Sequence, residues 1–286
     1  KNMIVWLASY PKSGNTLLRS MLAAYFFSKD GIYDFSLIQN IKQFPNIRLF
    51  ENLGVDIRNE KEVIKNYIKV QESFCKKNSV QFLKTHSYLF NIDNNAFTNL
   101  KNSLGAIYIV RDPRNVVTSW SKFANVSIQK AADTLIKTTQ FGGNLNVKEG
   151  SERSMVHMGT WNGNFQSWKS FKYEGRYLLI KYEDLIKNRE ENFLKVLKFI
   201  FKLKKTKFNL NKSKFDNVIE TTDFEKLKKL EKEKGFFEAK TNKKTGEKIP
   251  FFNLGPKNNW KTMLIPEIRT NLEKAFKKEM KELGYL

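Results

Sequence analysis

Cysteine and histidine are almost missing from this sequence: its 286 residues hold one Cys, Cys75, and two His, His86 and His157. A lone thiol cannot form an internal disulfide, so cysteine usage does not call for an oxidising compartment. With so few histidines beside it, a zinc site has almost nothing to be built from. Long apolar runs are missing as well. The longest, such as Met21 to Phe27, fall far short of the ~20 residues that span a bilayer. Met3 to Ala8 runs straight into a turn and lacks the n-region, h-region and cleavage pattern of a signal peptide. The expectation is a cytoplasmic protein with no transmembrane segment.

Acidic residues are in deficit. The chain has 29 Asp+Glu against 51 Lys+Arg, a formal net charge of +22. The stretch from Lys195 to Leu286 alone holds 24 basic and 12 acidic residues. Lysine interleaved with Glu and Phe or Leu is usually a solvated face. The sharper alternative is attraction of a polyanionic ligand or surface, and charge alone does not choose among nucleotide, nucleic acid, membrane and acidic sugar.

What is present is enough apolar material for a core: 41% hydrophobic and 14% aromatic residues, which argues against a disordered basic tail. With no internal repeat and no separating linker, residues 1–286 read as one domain. Four runs rich in β-branched, aliphatic and aromatic residues read as buried strands: Met3 to Ser9, Val80 to Lys84, Gly105 to Val110 and Arg176 to Lys181. Helical patterns separate them, over Asn15 to Ser28, Lys61 to Lys77, Arg114 to Phe123, Ile128 to Gln140, Thr160 to Tyr173, Glu190 to Phe201, Phe224 to Lys234 and Ile265 to Leu283. The alternation predicts an α/β fold, P-loop-like and three-layered, with a mostly parallel central sheet flanked by helices. Gly142 to Gly150 and Phe236 to Gly255 read as loops.

The first strand ends in Ser9-Tyr10-Pro11-Lys12-Ser13-Gly14-Asn15-Thr16, and a helix pattern follows at once. Strand, tight turn and helix start together make an anion site, because free backbone N–H groups and the helix dipole point at the ligand. Lys12 adds a point charge, and Ser13 and Thr16 offer hydroxyls. The loop is not the nucleoside-triphosphate sequence G-x-x-x-x-G-K-[ST], since its lysine precedes its only glycine. Nor does an apolar strand end in the Asp that would organise magnesium, because Asp112 sits behind Arg111. The second strand ends Lys84-Thr85-His86 and the third Val110-Arg111-Asp112-Pro113-Arg114, with Ser119 and Trp120 on the helix after it. Ligands bind where parallel strands end, so His86 should lie near the phosphate loop and Arg111 can hold a second phosphate. Each has a plainer alternative: a structural histidine, or an arginine paired with Asp112. His157 reads as structural or surface, and Cys75 as inert.

In this order and spacing, Y-P-K-S-G-N-T, K-T-H and I-V-R-D-P-R with Ser119 and Trp120 resemble the sulfotransferase family that uses 3′-phosphoadenosine 5′-phosphosulfate (PAPS), as a cytosolic-type, bacterial-like member. Gly159-Thr160-Trp161 with Trp168, Lys181-Tyr182-Glu183-Asp184-Leu185, Thr222-Asp223-Phe224 and Gly255-Pro256-Lys257-Asn258-Asn259-Trp260-Lys261 fit the family's later blocks. Each block is weak alone, but seven in order are specific. The resemblance implies that Lys12, Ser13, Gly14, Asn15 and Thr16 bind the 5′-phosphosulfate, and that Arg111 and Ser119 hold the 3′-phosphate. It places adenine against Tyr182, Thr222 and Phe224, with Gly255 and Lys257 in a late loop that closes over the 3′-phosphate. By the same likeness His86 is the general base, Lys12 stabilises the leaving adenosine 3′,5′-bisphosphate (PAP), and Lys84 supports the transferred sulfonate; no metal is required.

The chain departs from the family pattern at four places. Leu17 stands where the family often has an adenine-stacking Trp, and Asn15 replaces a frequent Thr. Asn253-Leu254 replaces an Arg-Lys pair before Gly255. The C-terminal dimer motif of animal members is not evident, so the oligomeric state stays open. The competing classes are a small-molecule kinase using magnesium-ATP and a basic nucleic-acid-binding protein, although no zinc-finger, RNP or KH pattern is present. The acceptor is expected to be a small molecule, glycan or lipid rather than nucleic acid, chosen by the loops Ile32 to Asn59, Gln140 to Ser154 and Phe236 to Phe252. Phe35, Phe44, Phe141, Phe236 and Phe237 are candidates for an apolar or sugar-ring wall, with core packing as the alternative. The charge not needed for the nucleotide could steer PAPS or favour an acidic acceptor.

Overall fold

The computed structural model describes residues 3–74, 80–137, 140–141, 156–242 and 245–286. Five strands form the central sheet: β1 (Met3–Ser9), β2 (Lys42–Gln43), β3 (Val80–Thr85), β4 (Ser103–Val110) and β5 (Tyr177–Lys181). Their order is β2-β3-β1-β4-β5, and every pairing is parallel. Parallel neighbours need a crossover between them, and helices supply it on both faces. The α/β class read from the sequence is therefore the observed one.

Because both faces are covered, the middle strands are apolar throughout rather than alternating. In β1, Ile4, Trp6 and Ala8 point into one core and Val5 and Leu7 into the other. The first core is capped by α2 (Pro113–Ala124), α3 (Trp161–Trp168) and the C-terminal helices, and is dense in aromatics. Trp6 lies fully buried among Phe44, Phe97 and Trp168 and donates its indole N–H to Ser103 Oγ at 2.9 Å. Aromatic side chains buried this way contribute roughly 3 kcal/mol each. The second core is covered by α1 (Asn15–Phe27) and α4 (Arg189–Leu203), with α5 (Phe224–Lys234) alongside.

The four expected strands are present to within two residues at their ends, and β2 is an addition. Two expected long helices are broken. Residues 60–74 form Glu60–Lys65 and Tyr67–Phe74, because the Asn66 side chain turns back to the Glu62 carbonyl at 2.8 Å and closes the first turn. The final helix divides into Pro266–Ala275 and Lys277–Glu282 at the buried Phe276. Lys212–Thr221 is a helix absent from the sequence expectation, and the helix begun at Ile128 ends at Ile136. Cys75 and residues 142–154 of the expected acceptor loop Gln140 to Ser154 lie outside the described residues.

Candidate active site

At the C-terminal edge of the sheet, β1 turns through residues 10–14 into α1. Lys12 takes a left-handed φ of 65°, and Gly14, at φ 98°, is the residue before the first helical turn. A Cβ on Gly14 would stand 2.4 Å from the Tyr182 ring, so this position requires glycine for both its backbone and its neighbour. Unlike the starts of α2 and α3, which Asp112 and Thr160 cap, the start of α1 receives no side-chain cap. Its first N–H groups have no intrahelical partners. The Asn15 amide donates to Leu7 O at 2.9 Å and Ser9 Oγ at 3.1 Å, so what Asn15 offers an anion is its main-chain N–H. Ser13 Oγ is buried and has no hydrogen-bond partner. The start of α1 is thus not an ordinary side-chain-capped one.

β3 delivers Lys84 and His86 beside it. His86 Nδ1 lies 2.9 Å from Ser9 O and 3.3 Å from Ser9 Oγ. A carbonyl only accepts, so Nδ1 carries the proton and Nε2 keeps its lone pair. Asn164 on α3 accepts from Tyr108 Oη at 2.8 Å and donates to His86 O at 2.9 Å and Met158 O at 2.8 Å, which fixes the His86 backbone. Burial, with the charge of Lys84 adding to it, pushes the His86 imidazole down from 6.5 to about 3. Lys84 is pushed down to about 8, first by burial, although Glu238 opposes the shift from 3.6 Å. Glu238 also holds Arg19 at 2.6 Å and is itself held down to about 2 by those two cations against the opposing effect of its burial.

Lys12 is the third displaced group. Its Nζ lies over the rings of Phe123, at 4.2 Å, and Phe251, at 4.3 Å. Burial first, then the charges of Arg111 and Lys84, push it down from 10.5 to about 7. The charged forms of Lys12, Lys84 and His86 are thus disfavoured side by side, chiefly by burial.

From β4, Arg111 reaches across the same edge. Its guanidinium donates to Lys12 O at 3.3 Å and Gly255 O at 3.2 Å and lies 4.2 Å over the Tyr182 ring, while its Nε is buried without a partner. It therefore joins the first loop to the late one. Gly255 has φ 49°, and a Cβ there would meet Phe224 at 2.2 Å. Arg114, the other arginine of this block, serves structure: it is buried, pairs with Asp112 and Glu273 at 2.7 Å each, and stacks 3.9 Å over Trp260. The Arg111–Asp112 pairing weighed from the sequence is accordingly not the one formed; Arg114 takes Asp112.

These elements enclose a cavity of about 990 Å³. Lys12, Gly14, Asn15, Thr16, Lys84, His86, Arg111, Ser119, Tyr182, Phe224 and Gly255 line it. Its described wall carries seven Lys or Arg side chains and one carboxylate, Glu238. Three expected contacts do not line it. Ser13 is buried behind the loop. Thr222 is buried behind the wall, where its hydroxyl accepts from Arg189 at 3.0 Å and donates to Val218 O at 2.6 Å. The Lys257 side chain is 80% exposed and faces Glu225 at 3.8 Å. Asn15, Leu17, Asn253 and Leu254, the positions that depart from the family pattern, all line the cavity. Phe35, Phe44 and Phe236 are core residues, Phe237 lines the cavity, and the side chain of Phe141 lies outside the described residues. His157 is buried against Phe90 and Glu60, away from the cavity.

The sequence reading missed Glu238, Arg19 and Asn164. Arg19 had a signal, since it is the only charged residue in the largely apolar Leu17 to Tyr25 stretch. Glu238 had none among the charges of its Lys-rich loop.

A strand end, an uncapped helix start and several Lys and Arg side chains thus meet at one cavity of a parallel α/β fold. Residues 3–284 match the family model of the sulfotransferase domain, and the chain belongs to that family. It is 24% identical to the flavonol 3-sulfotransferase of Flaveria bidentis over 98% of this chain and 82% of that enzyme. It is 22% identical to the amine sulfotransferase of Oryctolagus cuniculus over 63% of this chain, and 25% identical to the 3-beta-hydroxysteroid sulfotransferase of Cavia porcellus over 61%. Those two matches span 56% and 55% of the relatives' own length. Among solved structures, a mouse sulfotransferase complexed with PAP superposes with TM-score 0.57 at 17% identity, covering 98% of this chain and 85% of that one. Retinol dehydratase complexed with retinol and PAP gives 0.61 at 16%, covering 97% and 81%. At these identities the likeness is one of fold. Among the described residues, no helix is long and apolar enough to cross a membrane.

Proposed function

We propose that this chain moves a sulfuryl group from PAPS to a hydroxyl or amine of an acceptor. The observation that carries this reading is the convergence of Lys12, Lys84, His86 and Arg111 on one uncapped helix start, with Ser13 Oγ and Arg111 Nε buried and unpartnered. Those orphaned donors and the cationic wall suit a ligand with anionic groups at both ends. PAPS supplies a sulfuryl group activated by attachment to a leaving bisphosphate.

In this reading, the main-chain N–H groups of Gly14, Asn15 and Thr16 and the Ser13 hydroxyl hold the 5′ end. Arg111 and Ser119 hold the 3′-phosphate. Tyr182, Phe224 and Leu17 form the apolar wall for the base, with Leu17 in place of a stacking Trp. Neutral His86, with Nε2 unprotonated, takes the acceptor's proton as the acceptor oxygen bonds to sulfur and the sulfur–oxygen bond to the bisphosphate breaks. Neighbouring anionic charge raises the imidazole's basicity above its ligand-free value. Lys12 meets the charge that develops on the leaving oxygen, and Lys84 the charge on the sulfonate oxygens.

Thermal unfolding with PAP, magnesium-ATP and a DNA oligonucleotide tests the donor. PAP at about a hundred times its dissociation constant should add ~2.7 kcal/mol and the other two less. Equal or greater stabilisation by magnesium-ATP or by the oligonucleotide would overturn the reading in favour of a kinase or a nucleic-acid binder.

A further inference from the structure

A buried ammonium needs a partner, and the partner of Lys12 is aromatic. Among the described residues, Lys12 Nζ makes no hydrogen bond and no ion pair; it stands 4.2 Å from the centre of the Phe123 ring and 4.3 Å from that of Phe251. The two rings are 6.0 Å apart at 85° to one another, so they form a corner with the amine in it. The face of a ring is the negative part of its quadrupole, and a cation over it gains most where water is excluded. Such a corner covers the amine on two sides and leaves the others for an anion.

Each ring is held by its own element. Phe123 stands in the last turn of α2, which Asn125 ends in a left-handed conformation at φ 53°. Phe251 belongs to the late loop, where Glu231 on α5 accepts its N–H at 2.7 Å and that of Phe252 at 2.9 Å. Its ring packs 4.9 Å from the buried Phe236. The corner therefore exists before any ligand arrives. The charges around Lys12 give the rings something to offset: Arg111 at the end of β4, Lys84 on β3 and Lys240 on the late loop disfavour the ammonium, while Glu238 favours it.

We propose that Phe123 and Phe251 are positioning residues for Lys12, whose faces keep its ammonium charged and in place for the anion. This rests on the sulfuryl-transfer reading only in naming that anion as PAP, and the test separates the two. Phe251→Leu keeps the apolar bulk and removes the ring face, whereas Phe251→Tyr keeps the face. Phe123 also lies under Lys240 Nζ at 4.2 Å, so Phe251 is the cleaner site to change. PAP affinity is measured by calorimetry at pH 5.5 and pH 8, either side of the value of about 7 to which Lys12 is pushed without ligand. At pH 8 the amine gains its proton on binding, so the ring stabilises the complex alone. At pH 5.5 it is charged in both states and the ring's contribution cancels. Phe251→Leu should therefore bind PAP about three- to thirtyfold more weakly than the parent at pH 8 and within about twofold of it at pH 5.5. Phe251→Tyr should restore most of the loss. In a Lys12→Ala background the Leu substitution should change PAP affinity by less than about twofold at either pH.

An equal loss at both pH values would make Phe251 a packing residue, and tighter binding at pH 5.5 would mean that the rings hold Lys12 away from the ligand. Either result overturns the proposal, as does a full effect in the Lys12→Ala background. If the parent does not bind PAP, the donor assignment falls alone, and the rings are tested on the ligand-free protein. The Lys12 side chain, identified by its loss in Lys12→Ala, is then titrated by NMR. Its midpoint should lie about one pH unit lower in Phe251→Leu than in the parent, and an unmoved midpoint overturns the proposal.

Discussion

His86 Nδ1 sits 2.9 Å from the main-chain oxygen of Ser9, a residue of the neighbouring strand β1. One hydrogen bond thereby sets the tautomer and turns the basic nitrogen toward the cavity, and Asn164 fixes the backbone beneath it from a third element. His86→Ala should lower the turnover of sulfuryl transfer by about 10²- to 10⁴-fold, the usual contribution of a positioned base, and leave PAP affinity within a few-fold. Calorimetry with PAP and a single-turnover assay with labelled PAPS read the two effects separately. A large loss of PAP affinity with residual turnover intact would assign the histidine to binding instead.

Arg111 bridges the carbonyls of Lys12 and Gly255 while its Nε stays unpartnered, so one donor remains for a ligand after the two loops are joined. Arg111→Lys keeps a charge but loses the planar fork. It should weaken PAP by about ten- to a hundredfold and adenosine 5′-phosphate, which lacks the 3′-phosphate, by less than about fivefold. Competition binding compares the two. Equal losses for both ligands would remove the 3′-phosphate assignment and leave Arg111 as a loop tie.

Lys12 is poised for a proton-coupled binding step. Its ammonium is pushed down to about 7 without ligand, chiefly by burial, and a phosphosulfate or bisphosphate beside it restores the charged form. Binding above pH 7 should therefore draw up to one proton from solution, and PAP affinity should fall by up to tenfold per pH unit between about pH 7 and the higher value reached in the complex. Calorimetry at pH 8 in buffers of differing ionisation enthalpy counts the proton. Lys12→Ala should abolish the uptake, and an unchanged uptake in that variant would place the titrating group elsewhere.

The site was legible where local pattern and chemistry coincide. β1, β3 and β4 are apolar runs that stop abruptly at polar residues, so Lys12, His86 and Arg111 could be placed on one sheet edge without coordinates. β2 was illegible because two paired residues carry no periodicity; neighbouring Lys84 and Phe44 define it only in three dimensions. Thr222 sits just before α5, one residue from its Asp223 cap, yet faces Arg189 rather than the cavity. A one-dimensional motif cannot give that orientation. Glu238 is the clearest omission, since a carboxylate among lysines reads as a solvated surface until the fold brings Arg19 and Lys84 around it.

That carboxylate should control the stability of the ligand-free protein. Arg19 is only 3% exposed and Lys84 8%, so Glu238→Gln leaves two buried cations without their counter-charge. Removing one partner of a buried ion pair costs about 3–5 kcal/mol. The pH dependence follows from the same cluster. Glu238 is held at about 2 against 4.5 unfolded, so the stability it contributes is present above pH 4.5 and is lost as pH falls toward 2. The folded state refuses His86 a proton down to about pH 3, whereas the unfolded chain takes it near 6.5, so stability also falls through that window. Lys84, at about 8 against 10.5, acts in the same direction on the alkaline side: stability rises with pH between those values. Denaturant titrations of the ligand-free protein from pH 4 to 9 should thus show stability climbing with pH. Glu238→Gln should be less stable at neutral pH, recover part of the loss toward pH 9 as Lys84 sheds its proton, and recover more of it on adding PAP. A variant as stable as the parent at pH 7 would mean that Glu238 is not the counter-ion of this cluster.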